Sequence, residues 1–181
     1  EKYLPDGTGS VFADSGLKAP HATAFDKAGN LYVVNTQSSA IEKFTPTGVG
    51  TVFASSDSVS RPADLVFDTA GNLYVTNTYG GATGTGSVTK LAPDGTFSVF
   101  ADGGFNVAYG LAIDSAGNIY VSNFGGNTIR KFSPSGADLG IFASTALNGP
   151  HGMIFDSSGN LYVANNVTNS ILKYSSTGVY L

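Results

Sequence analysis

Only two histidines occur in the chain, and both stand five residues ahead of an Asp-x-x-Gly-Asn phrase: His21 before Asp26, His151 before Asp156. Ala63 and Tyr109 take the same place ahead of Asp68 and Asp114. Equivalent positions of repeated units converge when the units wrap an axis, so the two imidazoles are expected to face each other, with Asp64 beside the Ala63 position. His, His and Asp are acceptable ligands for zinc or iron, and an imidazole is the natural proton carrier near neutral pH. A divalent metal or a general base is therefore the chemistry to look for at His21, His151 and Asp64. The set is incomplete, because Glu1 and Glu42 are the sole glutamates and neither lies nearby in sequence. A structural account stands beside the chemical one, in which each ring packs and bonds neighbouring carbonyls.

Two other groups of residues bear on function. The aspartates of Asp-x-x-Gly-Asn carry oxygens that suit calcium, but they recur in every unit, as a turn requires: the carboxylate accepts backbone N–H bonds while Gly and Asn tolerate positive φ. Aromatic residues Tyr79, Tyr109 and Phe124 lie in or near the variable segments, where Gly, Asn and Thr predominate. Rings in such a setting suit stacking on sugars or contacts with another protein.

The elements that must position these residues follow from a recurrence. Asp26–Val33, Asp68–Val75, Asp114–Val121 and Asp156–Val163 repeat one phrase at spacings of 42, 46 and 42 residues, a period at which each unit is one supersecondary block. Each unit reads as four short strands, A to D: an apolar stretch, the Asp-x-x-Gly-Asn turn, Leu/Ile-Tyr-Val, then Ile41–Phe44 and its equivalents, a Pro/Gly turn, and Val52-Phe53 and its equivalents. In Leu31-Tyr32-Val33-Val34 both faces are apolar, so the sheet must be covered on both sides. Four-stranded sheets buried on both faces and repeated describe an all-β fold, a β-propeller of four blades over one domain, 1–181, with units near 18–57, 58–103, 104–147 and 148–181. Residues 8–13 match a fourth strand arriving before any first strand, and the last unit ends as its own fourth strand begins. Pairing strand 8–13 with the last blade is expected to close a four-blade ring; otherwise the blades form part of a larger propeller or complete it with copies of the chain.

Composition narrows the partners. Nine basic against thirteen acidic residues give a net charge of −4, which offers no electrostatic pull on nucleic acid or anionic membranes. The once-per-unit lysines, Lys2, Lys43, Lys90, Lys131 and Lys173, are read as devices that keep sheet edges soluble. There is no cysteine, hence no thiolate site, and no apolar run approaches the length of a membrane span. No Gly-rich phosphate loop opens a helix.

The wording Pro150-His-Gly-Met-Ile-Phe-Asp156, Gly159-Asn-Leu-Tyr-Val-Ala-Asn165 and Asn169-Ser-Ile-Leu-Lys173 resembles the NHL-repeat propeller family, and is most similar to bacterial secreted members. The resemblance implies an extracellular setting, and six blades are usual there. Enzymes similar to this family, streptogramin lyases and the amidating lyase, use channel histidines with a metal. The expectation is an extracellular, non-enzymatic binding or assembly scaffold without a cofactor, using the face of the B–C and D–A loops for a protein, a carbohydrate or another copy. The alternative is a metal-dependent lyase or lactonase with its site at His21 and His151.

Overall fold

The computed structural model describes residues 1–55, 58–81 and 85–181. Seventeen strands account for its regular structure. A hairpin, β1 (Lys2–Tyr3) and β2 (Gly9–Ser10), precedes four antiparallel meanders. Blade I holds β3 (Pro20–Phe25), β4 (Leu31–Asn35), β5 (Ala40–Phe44) and β6 (Gly50–Ala54). Blade II holds β7 (Pro62–Phe67), β8 (Leu73–Asn77), β9 (Ser87–Leu91) and β10 (Phe97–Asp102). Blade III holds β11 (Ala108–Ile113), β12 (Ile119–Asn123), β13 (Thr128–Phe132) and β14 (Asp138–Ala143). Blade IV has three strands, β15 (Pro150–Phe155), β16 (Leu161–Asn165) and β17 (Ser170–Tyr174). These blades stand around one axis as a β-propeller, with the first strand of each innermost. Part of the Thr78–Ser87 insertion, residues 82–84, lies outside the described residues.

The turn that begins each second strand forms because one aspartate satisfies three donors. Asp114 accepts from the backbone N–H of Ala116 and Asn118 through Oδ1, both at 2.9 Å, and from the Asn118 amide through Oδ2 at 2.8 Å. Asp26, Asp68 and Asp156 repeat the pattern. Gly117 sits at φ 82°, a conformation that costs a residue with a Cβ. The carboxylates are thus structural.

Packing between blades follows from the two-sided strands. Tyr32, Val34 and Ile41 on the back of blade I bury against Leu65, Leu73 and Val75 on the front of blade II. The same pairing joins II to III and III to IV. Each strand-B tyrosine at these junctions meets its phenylalanine neighbours edge-on: Tyr32 with Phe53 and Phe67 at 5.0 Å, Tyr120 with Phe142 and Phe155 at 4.8 and 4.9 Å. The periodic lysines have a role beyond solubility, since Lys43, Lys90, Lys131 and Lys173 each stand 5.1–5.5 Å over that tyrosine ring, where cation and ring attract.

The expected pairing of strand 8–13 with the last blade does not form. Residues 9–10 pair with 2–3 instead, and the Phe12 ring packs on Phe44 of blade I. At the other end the chain turns back on itself: Tyr180 bridges Tyr174, and Leu181 N–H donates to the Lys173 carbonyl, so the tail holds the start of the vacant edge. The front of blade I and the back of blade IV accordingly do not cover one another.

Burial pushes the Asp114 carboxyl upward, but the Asn118 amide, the Tyr120 hydroxyl and two backbone amides outweigh it and hold the group below the ordinary aspartate value. A carboxyl depressed on folding stabilises the protein above its unfolded pKa of about 4 and ceases to as pH falls through the folded value. The four turn aspartates, all held below the ordinary value, should make the thermal stability of the wild type decline as pH falls below about 4. Asp114→Ala should lower stability by about 1–3 kcal/mol at neutral pH, measured by denaturant unfolding, and calcium should shift neither protein.

Candidate functional site

The innermost strands bring the second residue of each, His21, Ala63, Tyr109 and His151, to the axis. The two imidazole centroids lie 6.2 Å apart, as their matched positions predict. Tyr109 lies between them: its ring stacks on His151 at 3.7 Å, and its hydroxyl donates to His21 Nε2 at 2.9 Å. Phe124, from the loop after β12, closes the cluster at 5.8 Å from His151 and 5.9 Å from Tyr109. Tyr79 does not join it. That ring is 57% exposed and rests on the Arg61 guanidinium at 4.8 Å.

Backbone contacts fix this geometry. The Thr76 hydroxyl of blade II accepts from the Asp64 N–H and donates to the Tyr109 carbonyl of blade III. Ser122 does the same one junction on, accepting from the Gly110 N–H and donating to the His151 carbonyl at 2.8 Å. Gly110 belongs here because a Cβ at that position would collide with the His151 carbonyl oxygen. At the first junction the hydroxyl position is Val34, and the imidazole serves in its stead, His21 Nδ1 donating to the Ala63 carbonyl at 2.9 Å. A carbonyl only accepts, so Nδ1 carries the proton and Nε2 is left to accept from Tyr109. Both nitrogens of His21 are engaged.

Asp64 is engaged as well. Its Oδ1 accepts from the Leu65 N–H and its Oδ2 from the Leu111 N–H of blade III, both at 2.8 Å. Burial pushes this carboxyl above its usual range, although those two amides and nearby His21 pull the other way. It ties two blades together inside the wall. The trio His21, His151 and Asp64 is not assembled as a metal set: both ring nitrogens of His21 are engaged, and among the described residues no three His, Asp or Glu side chains come together to hold an ion.

His151 differs from His21. Among the described residues its ring nitrogens have no hydrogen-bond partner, and a cavity of about 300 Å³ opens beside it, walled by Asn165, Asn166, Asn169 and Ser170. Burial, and then the neighbouring His21, hold its pKa below the ordinary histidine value. Near neutrality it is an uncharged base. Burial, reinforced by the Asp64 charge, raises the Tyr109 hydroxyl, which stays a donor.

Sequence reasoning missed the Thr76 and Ser122 relay and the buried asparagines that end each second strand. Asn77 and Asn165 accept the Ser60 and Asn148 N–H groups and so clamp the loop entering each blade. The four-fold Asn at that spot was the signal available for the clamp.

No family model matches the chain, and no curated protein matches it. Solved structures do. A gluconolactonase from Xanthomonas campestris is 23% identical, aligned over 99% of this chain and 66% of its own, with a TM-score of 0.81. A nidogen/laminin complex aligns at 20% identity over 94% and 65% with a TM-score of 0.82. A catalytically inactive histidine-to-alanine variant of virginiamycin B lyase from Staphylococcus aureus, with quinupristin, aligns at 14% identity over 90% and 54% with a TM-score of 0.74. The fold is theirs. The chain spans little more than half the length of the lyase and about two thirds of the other two.

His21 and His151 should separate by experiment. His21→Ala removes the bridge from that ring to Ala63 and should cost about 1 kcal/mol in denaturant unfolding. His151→Ala removes no hydrogen bond seen among the described residues and should cost less, and zinc at a few equivalents should not raise the melting temperature of the wild type.

Proposed function

We propose that the chain has lactonase or lyase activity on a cyclic ester bound at the propeller axis, with His151 as general base. The single observation behind this is the His151 ring: uncharged near neutrality, free of partners among the described residues, and stacked on Tyr109 beside a cavity. In a lactone opening, the water oxygen bonds to the ring carbonyl carbon while His151 takes a proton from that water. The ester C–O bond then breaks and the leaving alkoxide takes the proton back from the imidazolium, so one water is consumed and the base is restored. The Tyr109 hydroxyl has a single proton and gives it to His21 Nε2, so it donates to charge developing on the carbonyl oxygen only by exchanging that bond for one to the substrate. Asn166, Asn169 and Ser170 offer amides and a hydroxyl that suit a substrate bearing hydroxyls.

Support also comes from likeness. A gluconolactonase and a virginiamycin B lyase share the fold, and the lyase is inactive when one histidine is replaced by alanine. The repeat wording, with its resemblance to NHL repeats, agrees with that company. The metal that the resemblance implies does not fit the residues of this chain, and the route above requires none.

A second reading, an extracellular binding scaffold, is favoured by Tyr79. Its exposed ring held on Arg61 has the form of an anchor for a protein surface, and the nidogen neighbour is recorded in a complex with laminin.

A pH-stat assay on a polyhydroxylated δ-lactone tests the first reading. His151→Ala and His151→Gln should each lower turnover about 10²–10⁴-fold while leaving far-UV dichroism unchanged. Because the His151 pKa is lowered, the acid limb of the wild-type rate should fall below about pH 6.5. No turnover, or turnover indifferent to His151, would overturn the assignment.

A further inference from the structure

The three internal junctions define what a blade offers to its successor: a strand-B tyrosine entering between a fourth-strand phenylalanine of its own blade and a first-strand residue of the next. Both ends of the molecule carry one half of that contact, unfilled. On the back of blade IV, Tyr162 has Lys173 at 5.3 Å over its ring but meets no phenylalanine among the described residues. Beside it Ile171 is 68% exposed, whereas its equivalents Ile41, Val88 and Ile129 are fully buried. Ile154 is 69% exposed, against 5% for Ala112 at the matching place in blade III.

The N-terminal end shows the complementary half. Gly48 lies against the Phe12 carbonyl as Gly136 lies against that of Phe100 and Gly178 against that of Phe142. Phe12 therefore occupies the fourth-strand position of a blade that would precede blade I. The first two strands of that blade have no counterpart among the described residues, and their place is a largely apolar cavity of about 440 Å³ lined by Phe12, Phe25, Gly29, Leu31 and Pro46, with Glu1 and Lys2 at its charged side. Phe12 and Phe25 correspond to Phe53 and Phe67, the two rings that hold Tyr32. Phe25 is 66% exposed.

We propose that the back of blade IV of one copy docks on the N-terminal face of a second copy, with Tyr162 entering the socket between Phe12 and Phe25. The occupant is argued from the chain itself, because three junctions already join these two surfaces and the fit needs no new chemistry. Seating blade IV there puts its five-residue β17 where the two-residue β1 lies and β2 where Tyr180 and Leu181 now bond Tyr174 and Lys173, so β1 and the last two residues of the docking copy give way and β2 gains a longer partner strand. The two surfaces differ, which makes the contact heterologous, with further copies adding in the same sense until a ring closes. The docking is argued from the fold and not from the chemistry at His151, but the two surfaces adjoin, since Ile171 also lines the cavity beside that ring; sedimentation reads the docking without reference to turnover.

Sedimentation velocity over a concentration series tests it with paired variants. The wild type should associate. Tyr162→Ala combined with Ile171→Asp removes the plug, and Phe25→Asp blocks the socket; each alters a surface that the isolated copy leaves partly or wholly open, and each protein alone should sediment as a monomer, its association weakened at least about tenfold. Mixed in equal amounts, the two variants retain one intact contact per pair and should give a heterodimer and nothing larger. A wild type that stays monomeric at every concentration, variants that associate as it does, or a mixture that stays monomeric would each overturn the proposal. Should the plug variant lose its far-UV dichroism, Ile154→Asp serves in its place under the same outcomes.

Discussion

One contact recurs at every junction and governs the rest: a tyrosine from the second strand, edge-on to phenylalanine, with a lysine over its ring. Tyr32, Tyr74 and Tyr120 are each almost wholly buried this way. Edge-to-face rings gain energy beyond the area they bury, and the contact also reaches the turn. Tyr120 and Tyr74 donate to Asp114 and Asp68 at 3.1 and 3.3 Å, and burial, with that carboxylate, pushes the Tyr74 hydroxyl up to about 12. Lys131 lies 3.8 Å from Asp114. The phrase repeated in sequence is therefore one physical unit: aspartate shapes the turn, the turn aims the tyrosine, and the tyrosine joins the blades.

Because the junctions draw the first strands together at the axis, their second residues become neighbours across a narrow space. Close approach of backbones is what the centre demands, and small or hydrogen-bonding residues supply it: Gly110 under the His151 carbonyl, Thr76 and Ser122 bridging to the next blade. His21 is recruited to that framework because Val34 has no hydroxyl to offer Ala63. With Ala164 in the hydroxyl position and no following blade among the described residues, His151 has no hydrogen-bond partner there for its ring nitrogens. Identical residues at identical repeat positions thus acquire different chemistry from the residue two strands' width away.

The blade plan was legible because it is written four times: turn, two-faced strand and period each constrain the same sheet. Convergence of His21 and His151 was legible for the same reason. What one strand alone could not reveal was which donor atoms its neighbours would claim. Asp64 reads as a ligand until the Leu111 amide of another blade is known to hold it, and Tyr79 reads as a companion of Phe124 until Arg61 is found beneath it. The misplacement of strand 8–13 has a similar origin. Repeat matching gave the segment a fourth-strand role, but matching cannot say which strand supplies the partner, and here residues 9–10 pair with β1.

The ends of the molecule show how far the junction rule extends. A buried face costs nothing to keep apolar, whereas an exposed one risks promiscuous association, and soluble proteins rarely leave such patches without use. Ile154, Tyr162 and Ile171 at one end, and Phe25 at the other, retain the character of interior residues although no blade among the described residues covers them. The polar substitutions that would blunt a terminal blade are absent there, while the Asp-x-x-Gly-Asn turn of blade IV is as complete as in the others. A terminal blade built to the interior pattern is consistent with a surface that is covered when the protein works, and the socket at the first blade is already shaped to cover it.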